Sequence, residues 1–205
     1  MLSDLTVAEL LEKTAAATPV PGGGSLSAMA AAVGAALAQM VAGLTADRKA
    51  FAAVTPEMNE LSEKARRLQA DLLADMDRDA QAYTAVMAAF RLPRKTAEEI
   101  ALRADAIQRA IREAARVPLA VAEKALEVMT LAGTAVRHGN PNAMSDGAVG
   151  AMLARAALQG ALFNVKINLQ TIQDKAFTAQ LRTRAATLET RAQALETAML
   201  SEINL

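Results

Sequence analysis

The 205-residue chain has no cysteine and no tryptophan, and only one histidine, one tyrosine and four phenylalanines. Without cysteine there is no disulfide framework and no thiolate zinc site. A single histidine, His138, excludes most histidine-based metal clusters, so no metal is expected. Excess charge is also missing: Lys plus Arg number 22 and Asp plus Glu number 22. Nucleic-acid binding calls for a basic surplus and usually stacking aromatics, and the chain offers neither. The first residues carry Asp4 and Glu9 where a signal peptide carries basic groups. A cytoplasmic protein is expected.

What is present is apolar and helix-forming. Hydrophobic residues make up 53% of the chain, with alanine the commonest, and charged residues 21%. That suffices for one core, and one domain over residues 1–205 is expected. Alanine, Leu, Met, Glu, Gln and Arg all favour helix. Strand signals are nearly absent. The expected fold is all-α, a bundle of about six to eight mostly antiparallel helices around a buried Ala/Gly-rich one.

The boundaries follow from caps and breakers. Thr6 and Glu9 form a capping box before a first helix to about Ala17. The segment Thr18-Pro-Val-Pro-Gly-Gly-Gly24 breaks it, and a second helix runs from Ser25 to about Thr45. Thr55 then reads as an N-cap with Pro56 at the first helical position, opening a third helix to about Arg91. Thr96 and Glu99 box a fourth helix to about Arg137, which Pro118 should kink or break. Ser145 is expected to cap a fifth helix to about Thr171, and a last helix covers roughly 174–203.

Residues 26–46 carry no charge, a run long enough to span a bilayer. The run is mostly Ala and Gly, holds Gln39, and lacks a basic flank on its N-terminal side. A central buried helix, with no membrane partner, is the better reading.

Helical phase singles out one acid. At about 100° per residue, Leu61, Ala65, Leu68, Leu72, Met76, Tyr83, Val86, Met87 and Phe90 share one stripe of the third helix. Asp79 lies inside that stripe, Asp75 at its edge, Asp71 further round and Asp77 on the polar face. A buried carboxyl has a raised pKa or a dedicated partner. It is either a general acid or a satisfied structural group.

Three other places carry polar chemistry. Gly22, Gly23, Gly24 and Ser25 precede the second helix, where free backbone N–H groups accept an anion. They read equally well as a tight turn with a serine N-cap. Asn164 and Asn168 share one face of the fifth helix and point inward, to bridge helices or to bind a polar heterocycle. Lys166 projects away from them, towards a solvated face. The loop with Asn140, Asn142, Ser145 and Asp146 is either turn chemistry or a substrate-facing loop. His138, at the end of the fourth helix, reads as a dipole partner.

Six segments in this order resemble the cyclodeaminase domain of the formimidoyltransferase-cyclodeaminase family. They are Pro21-Gly-Gly-Gly-Ser with its Ala/Gly helix ending in Leu44-Thr45, and Asp77-Arg-Asp-Ala-Gln-Ala-Tyr83. Arg91-Leu-Pro-Arg94, Val117-Pro-Leu119, Gly139-Asn-Pro-Asn-Ala-Met-Ser-Asp146 and Phe163-Asn-Val-Lys-Ile-Asn-Leu169 follow. Tyr83 stands where the family usually has Phe. The family includes stand-alone proteins, some of them methenyltetrahydrofolate cyclohydrolases.

The resemblance implies an all-helical subunit that forms a homodimer, with its site near helix ends and the subunit interface. It implies a tetrahydrofolate derivative as substrate, no cofactor, and a separate formimidoyltransferase as a partner. The activity would be 5-formimidoyltetrahydrofolate cyclodeaminase, releasing ammonia, or methenyltetrahydrofolate cyclohydrolase. The family's acid matches one Asp of the Asp-x-Asp segment, and helical phase selects Asp79. Asn164, Asn168 and the 140–146 loop would orient the pterin, and Gly22–Ser25 would take a polar edge of the folate. The reading from another class is a non-catalytic helical folate-binding or scaffold protein.

Overall fold

A computed structural model describes residues 1–203, and among these there is no strand. Six α-helices follow in order: α1 (Val7–Ala15), α2 (Gly23–Ala46), α3 (Thr55–Phe90), α4 (Ala97–His138), α5 (Met144–Asn168) and α6 (Lys175–Glu202). Short 3-10 turns at Leu2–Asp4, Lys49–Phe51 and Pro141–Ala143 join them. The all-α bundle expected from composition is therefore present, at the low end of the expected helix number.

The layers follow from small residues. Along α2, Ala28, Ala31, Ala35, Ala38 and Ala42 are fully buried. Short side chains there let α3, α4 and α5 all pack on α2, while α4 touches α2, α3, α5 and α6. The backbones of α2 and α5 approach closely. A methyl group added to Gly34 would lie 2.6 Å from the Gly150 carbonyl oxygen, and one added to Gly160 2.5 Å from Ser27 Oγ. The pairings of 34 with 150 and 27 with 160 make the two helices antiparallel.

Two features of this layer differ from expectation. The second helix is not covered all round: Val33, Met40 and Leu44 are each more than 40% exposed. The segment Pro141–Asn168 is, like Gly23–Ala46, long and apolar enough to cross a membrane by length and composition. Half of the apolar window in each is buried against the bundle, and only α2 stood out in sequence.

The α3 stripe holds for half its length. Leu61, Ala65, Leu68, Leu72 and Met76 are buried, but Tyr83 is 38% exposed and Phe90 45%. The cause is topological: α2 begins opposite Asp79, so nothing from α2 covers the last turns of α3.

Several caps also differ. Thr55 is the first residue of α3 rather than its cap, and its hydroxyl donates to the Phe51 carbonyl at 3.3 Å. Ser145 lies inside the first turn of α5, whose N-cap is Ala143. Ser25 is not the cap of α2; Gly22 is. The boxes at Thr6 with Glu9 and Thr96 with Glu99 form as expected. Pro118 does not end α4, which runs unbroken from Ala97 to His138.

Candidate active site

The N-terminus of α2, the middle of α3 and the end of α5 enclose a cavity of about 290 Å³. It is lined by Gly22, Gly23, Gly24, Asp79, Tyr83, Asn164 and Asn168, with Ala114 of α4 closing one wall. Sequence reading named most of these, from three separate stretches of chain. A larger cavity of about 560 Å³ lies between α3, α4 and α6. Its charged groups are exposed, and Lys64 and Arg67 are paired to acids on their own helix. The smaller cavity is the one that holds a carboxyl out of water.

That carboxyl belongs to Asp79. Glycine at the N-cap of α2 has no side chain to satisfy the first N–H groups of the helix. Asp79 reaches that helix start from α3. Its Oδ2 takes a 2.8 Å hydrogen bond from Ser25 Oγ. Burial pushes the Asp79 pKa above the ordinary aspartate value, and hydrogen bonding to Ser25 only partly opposes the rise. Ser25, expected as a substrate contact, is fully buried and holds the acid instead.

Gly24 makes this approach feasible. A methyl group there would lie 2.3 Å from Asp79 Oδ1 and 2.7 Å from its Cγ. Gly24→Ala is therefore expected to displace the acid while leaving the helix folded. Activity should drop at least tenfold, a misplacement effect, with near-native far-ultraviolet circular dichroism. Unchanged kinetics would show that Asp79 need not sit where it does.

The other carboxyls of α3 sort themselves by partner. Asp75, only 2% exposed, accepts from Arg78 at 2.6 Å and Lys124 at 2.5 Å, a closed ionic cluster. Asp77 is not on a solvated face, as helical phase suggested; it is 5% exposed. The 3-10 turn at Leu2–Asp4 folds over it, with the Leu2 N–H and Ser3 Oγ each donating at 2.6 Å. Burial alone would raise its pKa, but these hydrogen bonds outweigh burial and hold it below the ordinary value. One element that sequence periodicity could not foresee, the docked N-terminus, thus makes Asp77 structural.

The asparagines have backbone partners. Asn164 Nδ2 donates to the Gly160 carbonyl at 2.9 Å. Asn168 Nδ2 donates to the Ala114 carbonyl at 2.9 Å and the Asn164 carbonyl at 3.0 Å. The Ala114 bond has a cause in sequence. Pro118 lacks an N–H, which leaves the carbonyl four residues earlier without its helical donor. Asn168 fills that vacancy and ties α5 to α4 at the cavity wall. Both asparagines line the cavity, and neither amide oxygen has a hydrogen-bond donor among the described residues. Pro118 and Ala114 were missed as site residues, although the proline alone marks Ala114 as short of a donor.

The 140–146 loop is elsewhere. Asn140 is buried, its N–H donating to Thr45 Oγ1 at 2.8 Å, and its Oδ1 accepts from the Asn142 N–H at 3.1 Å. Thr45 is at the far end of α2, about 33 Å from Gly23 at helical rise. Within one protomer, Asn140, Asn142, Ser145 and Asp146 therefore do not join the Asp79 cavity, a correction to the expected single cluster. Lys166 lies outside the cavity lining, and its Nζ is 3.3 Å from Glu189. His138 Nδ1 sits 3.0 Å from Glu57 rather than relying on the helix dipole alone. No group of three or more potential metal ligands occurs among the described residues.

A part-buried carboxyl with a raised pKa, two asparagine side chains and the start of a helix thus surround a small cavity in an all-helical protein, the kind of arrangement that can move a proton. The chain belongs to the formiminotransferase-cyclodeaminase family, whose model matches residues 6–187. It is 37% identical over 180 residues to the methenyltetrahydrofolate cyclohydrolase of Methylorubrum extorquens, covering 88% of this chain and 86% of that protein. It is 35% identical to the formimidoyltransferase-cyclodeaminase of Rattus norvegicus over 89% of this chain, which spans only 34% of that longer protein. The crystal structure of formiminotetrahydrofolate cyclodeaminase from Thermotoga maritima matches with a TM-score of 0.89 and 27% identity, covering 98% of this chain and 97% of that one.

Proposed function

We propose that this chain acts on the one-carbon unit bridging N5 and N10 of tetrahydrofolate, as a cyclodeaminase or a cyclohydrolase, with Asp79 as proton donor. The observation that carries this reading is the protonatable Asp79 in the cavity. Family membership supplies the substrate class.

Both reactions pass through a tetrahedral carbon flanked by nitrogens. In cyclodeamination, N10 attacks the formimidoyl carbon and the exocyclic nitrogen departs as ammonia. In cyclohydrolysis, water adds to the methenyl carbon with loss of one proton to solvent, the carbon–N5 bond breaks, and the carbinol proton is released as the formyl carbonyl forms. In either case Asp79 delivers a proton to the departing nitrogen, and Ser25 fixes the carboxyl's orientation. The Gly23 and Gly24 N–H groups and the Asn164 and Asn168 side-chain amides complement the edge of a pterin, which carries both donors and acceptors.

Two assays test the reading. Loss of the near-ultraviolet absorbance of 5,10-methenyltetrahydrofolate reports cyclohydrolysis, and ammonia release from 5-formimidoyltetrahydrofolate reports cyclodeamination. Turnover of neither, with binding retained, would favour a folate-binding module instead. For cyclodeamination the substrate would come from a formimidoyltransferase, proposed here as a separate partner.

A homodimer is part of the same proposal. The outer stripes of α2 and α5 carry Val33, Met40, Leu44, Val149, Met152 and Phe163, all at least 41% exposed, with no charge on α2. A continuous apolar face of that length on neighbouring helices suits a second copy. Any contribution of Asn142, Ser145 or Asp146 to the Asp79 cavity would then come from the partner subunit. Met40→Glu with Met152→Glu should convert a dimer to a monomer in sedimentation; a monomeric wild type at micromolar concentration removes the dimer from the proposal.

A further inference from the structure

We propose that the overhanging face of α3, from Tyr83 to Phe90 with Arg103 at its far end, binds the aryl-carboxylate tail of the substrate. The proposal rests on the folate reading above, and it assigns a second part of that site.

The overhang is built by unequal helix lengths. Gly24 at the start of α2 faces Asp79, so residues 80–90 of α3 extend about 16 Å beyond it. The side that buries Leu72 and Met76 lower down continues upward as Tyr83, Val86 and Phe90. Tyr83 and Val86 line the Asp79 cavity itself, so the face begins inside the site and leaves it. Phe90 is two turns beyond Tyr83 on the same side. The chain has only five aromatics, and Tyr83 and Phe90 stand exposed on this one face. Large aromatics are normally spent on core burial, and an exposed pair leading out of a cavity is suited to stacking on a flat ligand.

The far end is cationic. The Arg103 guanidinium lies 5.7 Å from the centre of the Phe90 ring, held by hydrogen bonds of 3.2 and 3.1 Å to the Phe90 carbonyl. Among the described residues no carboxylate pairs with it, and its other N–H donors are unused. The adjoining turn adds Arg91, Arg94 and Lys95 with no acid until Glu98.

Size points the same way. A cavity of about 290 Å³ sits at the bottom of the range for drug-sized ligands. It has room for a bicyclic head, and the rest of a folate must lie outside. An aromatic ring bearing an amide-linked dicarboxylate matches the order of groups on this face: aromatics first, then cations.

The probe is p-aminobenzoyl-glutamate, titrated calorimetrically into the 205-residue chain. Wild type should bind it, Phe90→Ala about tenfold more weakly and Arg103→Gln about fivefold more weakly. With the full substrate, KM should rise by similar factors while kcat stays put, because the tail is remote from the reacting carbon. Both side chains are surface groups, so the variants should fold, which circular dichroism checks. Failure of wild type to bind the fragment, or equal binding by all three proteins, overturns the subsite. An inactive wild type that still binds the fragment in this rank order retains the subsite and rejects the enzymatic reading alone.

Discussion

Asp79→Asn should lower turnover by about 10²–10⁴-fold, the usual contribution of a positioned general acid, whereas Asp77→Asn should leave turnover intact. The two carboxyls are two residues apart, yet one faces the cavity and the other faces the docked N-terminal turn. The pH dependence should separate them further. Asp79 acts in its protonated form, so kcat should fall as pH rises through its raised pKa. Its stability effect has the opposite sign to that of a paired acid. With the folded pKa above the unfolded one, the folded state gains stability as pH falls through the raised value, and pays for ionisation above it. Asp79→Asn has no such charge, so any stability advantage over wild type at neutral pH should shrink towards acid pH. Asp77 has a lowered pKa, so its stabilisation is present above the unfolded pKa and is lost as pH falls through the folded one. Asp77→Asn removes one acceptor and should cost about 1 kcal/mol at neutral pH. Melting curves across pH, alongside kinetics, check both signs. Loss of activity with Asp77→Asn and its survival with Asp79→Asn would reverse the assignment.

Gly34→Ala should cost about 1–3 kcal/mol, as overpacking in a closed interface does. The added methyl would meet the Gly150 carbonyl at 2.6 Å, and backbone cannot rotate aside as a side chain can. For a chain of this size each kcal/mol corresponds to roughly 2–4 °C in Tm. Gly43→Ala, on the same helix, meets nothing within 4 Å. It should stabilise by up to about 1 kcal/mol through helix propensity alone. Differential scanning calorimetry of the pair isolates the crossing from the helix. Equal behaviour of the two variants would mean that α2 and α5 are not in such close contact.

The helical boundaries were legible where the cap is local. Thr6 with Glu9 and Thr96 with Glu99 need only three intervening bonds' worth of chain, and both boxes form. Ser25 and Ser145 looked equally good as caps, and neither is one. Ser25 Oγ is recruited by Asp79, 54 residues away, and Gly22 takes the cap position. The inward phase of Asp79 was readable because it depends on 100° steps along a helix that forms. Asp77 was misread by the same rule, since periodicity knows nothing of a turn that folds back from residue 2.

Sequence by itself determined the class of fold and the chemistry available. A chain without cysteine, with one histidine and with alanine as its main apolar residue is suited to closely packed helices, and it leaves out thiolate and histidine-cluster chemistry. Only the tertiary structure decided which of these groups meet. Antiparallel pairing of α2 with α5 brings Gly22–Gly24 to Asn164 and Asn168, and sends the Asn140–Asp146 loop to the opposite end of the bundle. The start of α2 decides how much of α3 is covered, and so turns one apolar stripe into a buried half and an exposed half. The physical reason is that local periodicity fixes which side a residue faces, while helix length and pairing fix what stands opposite.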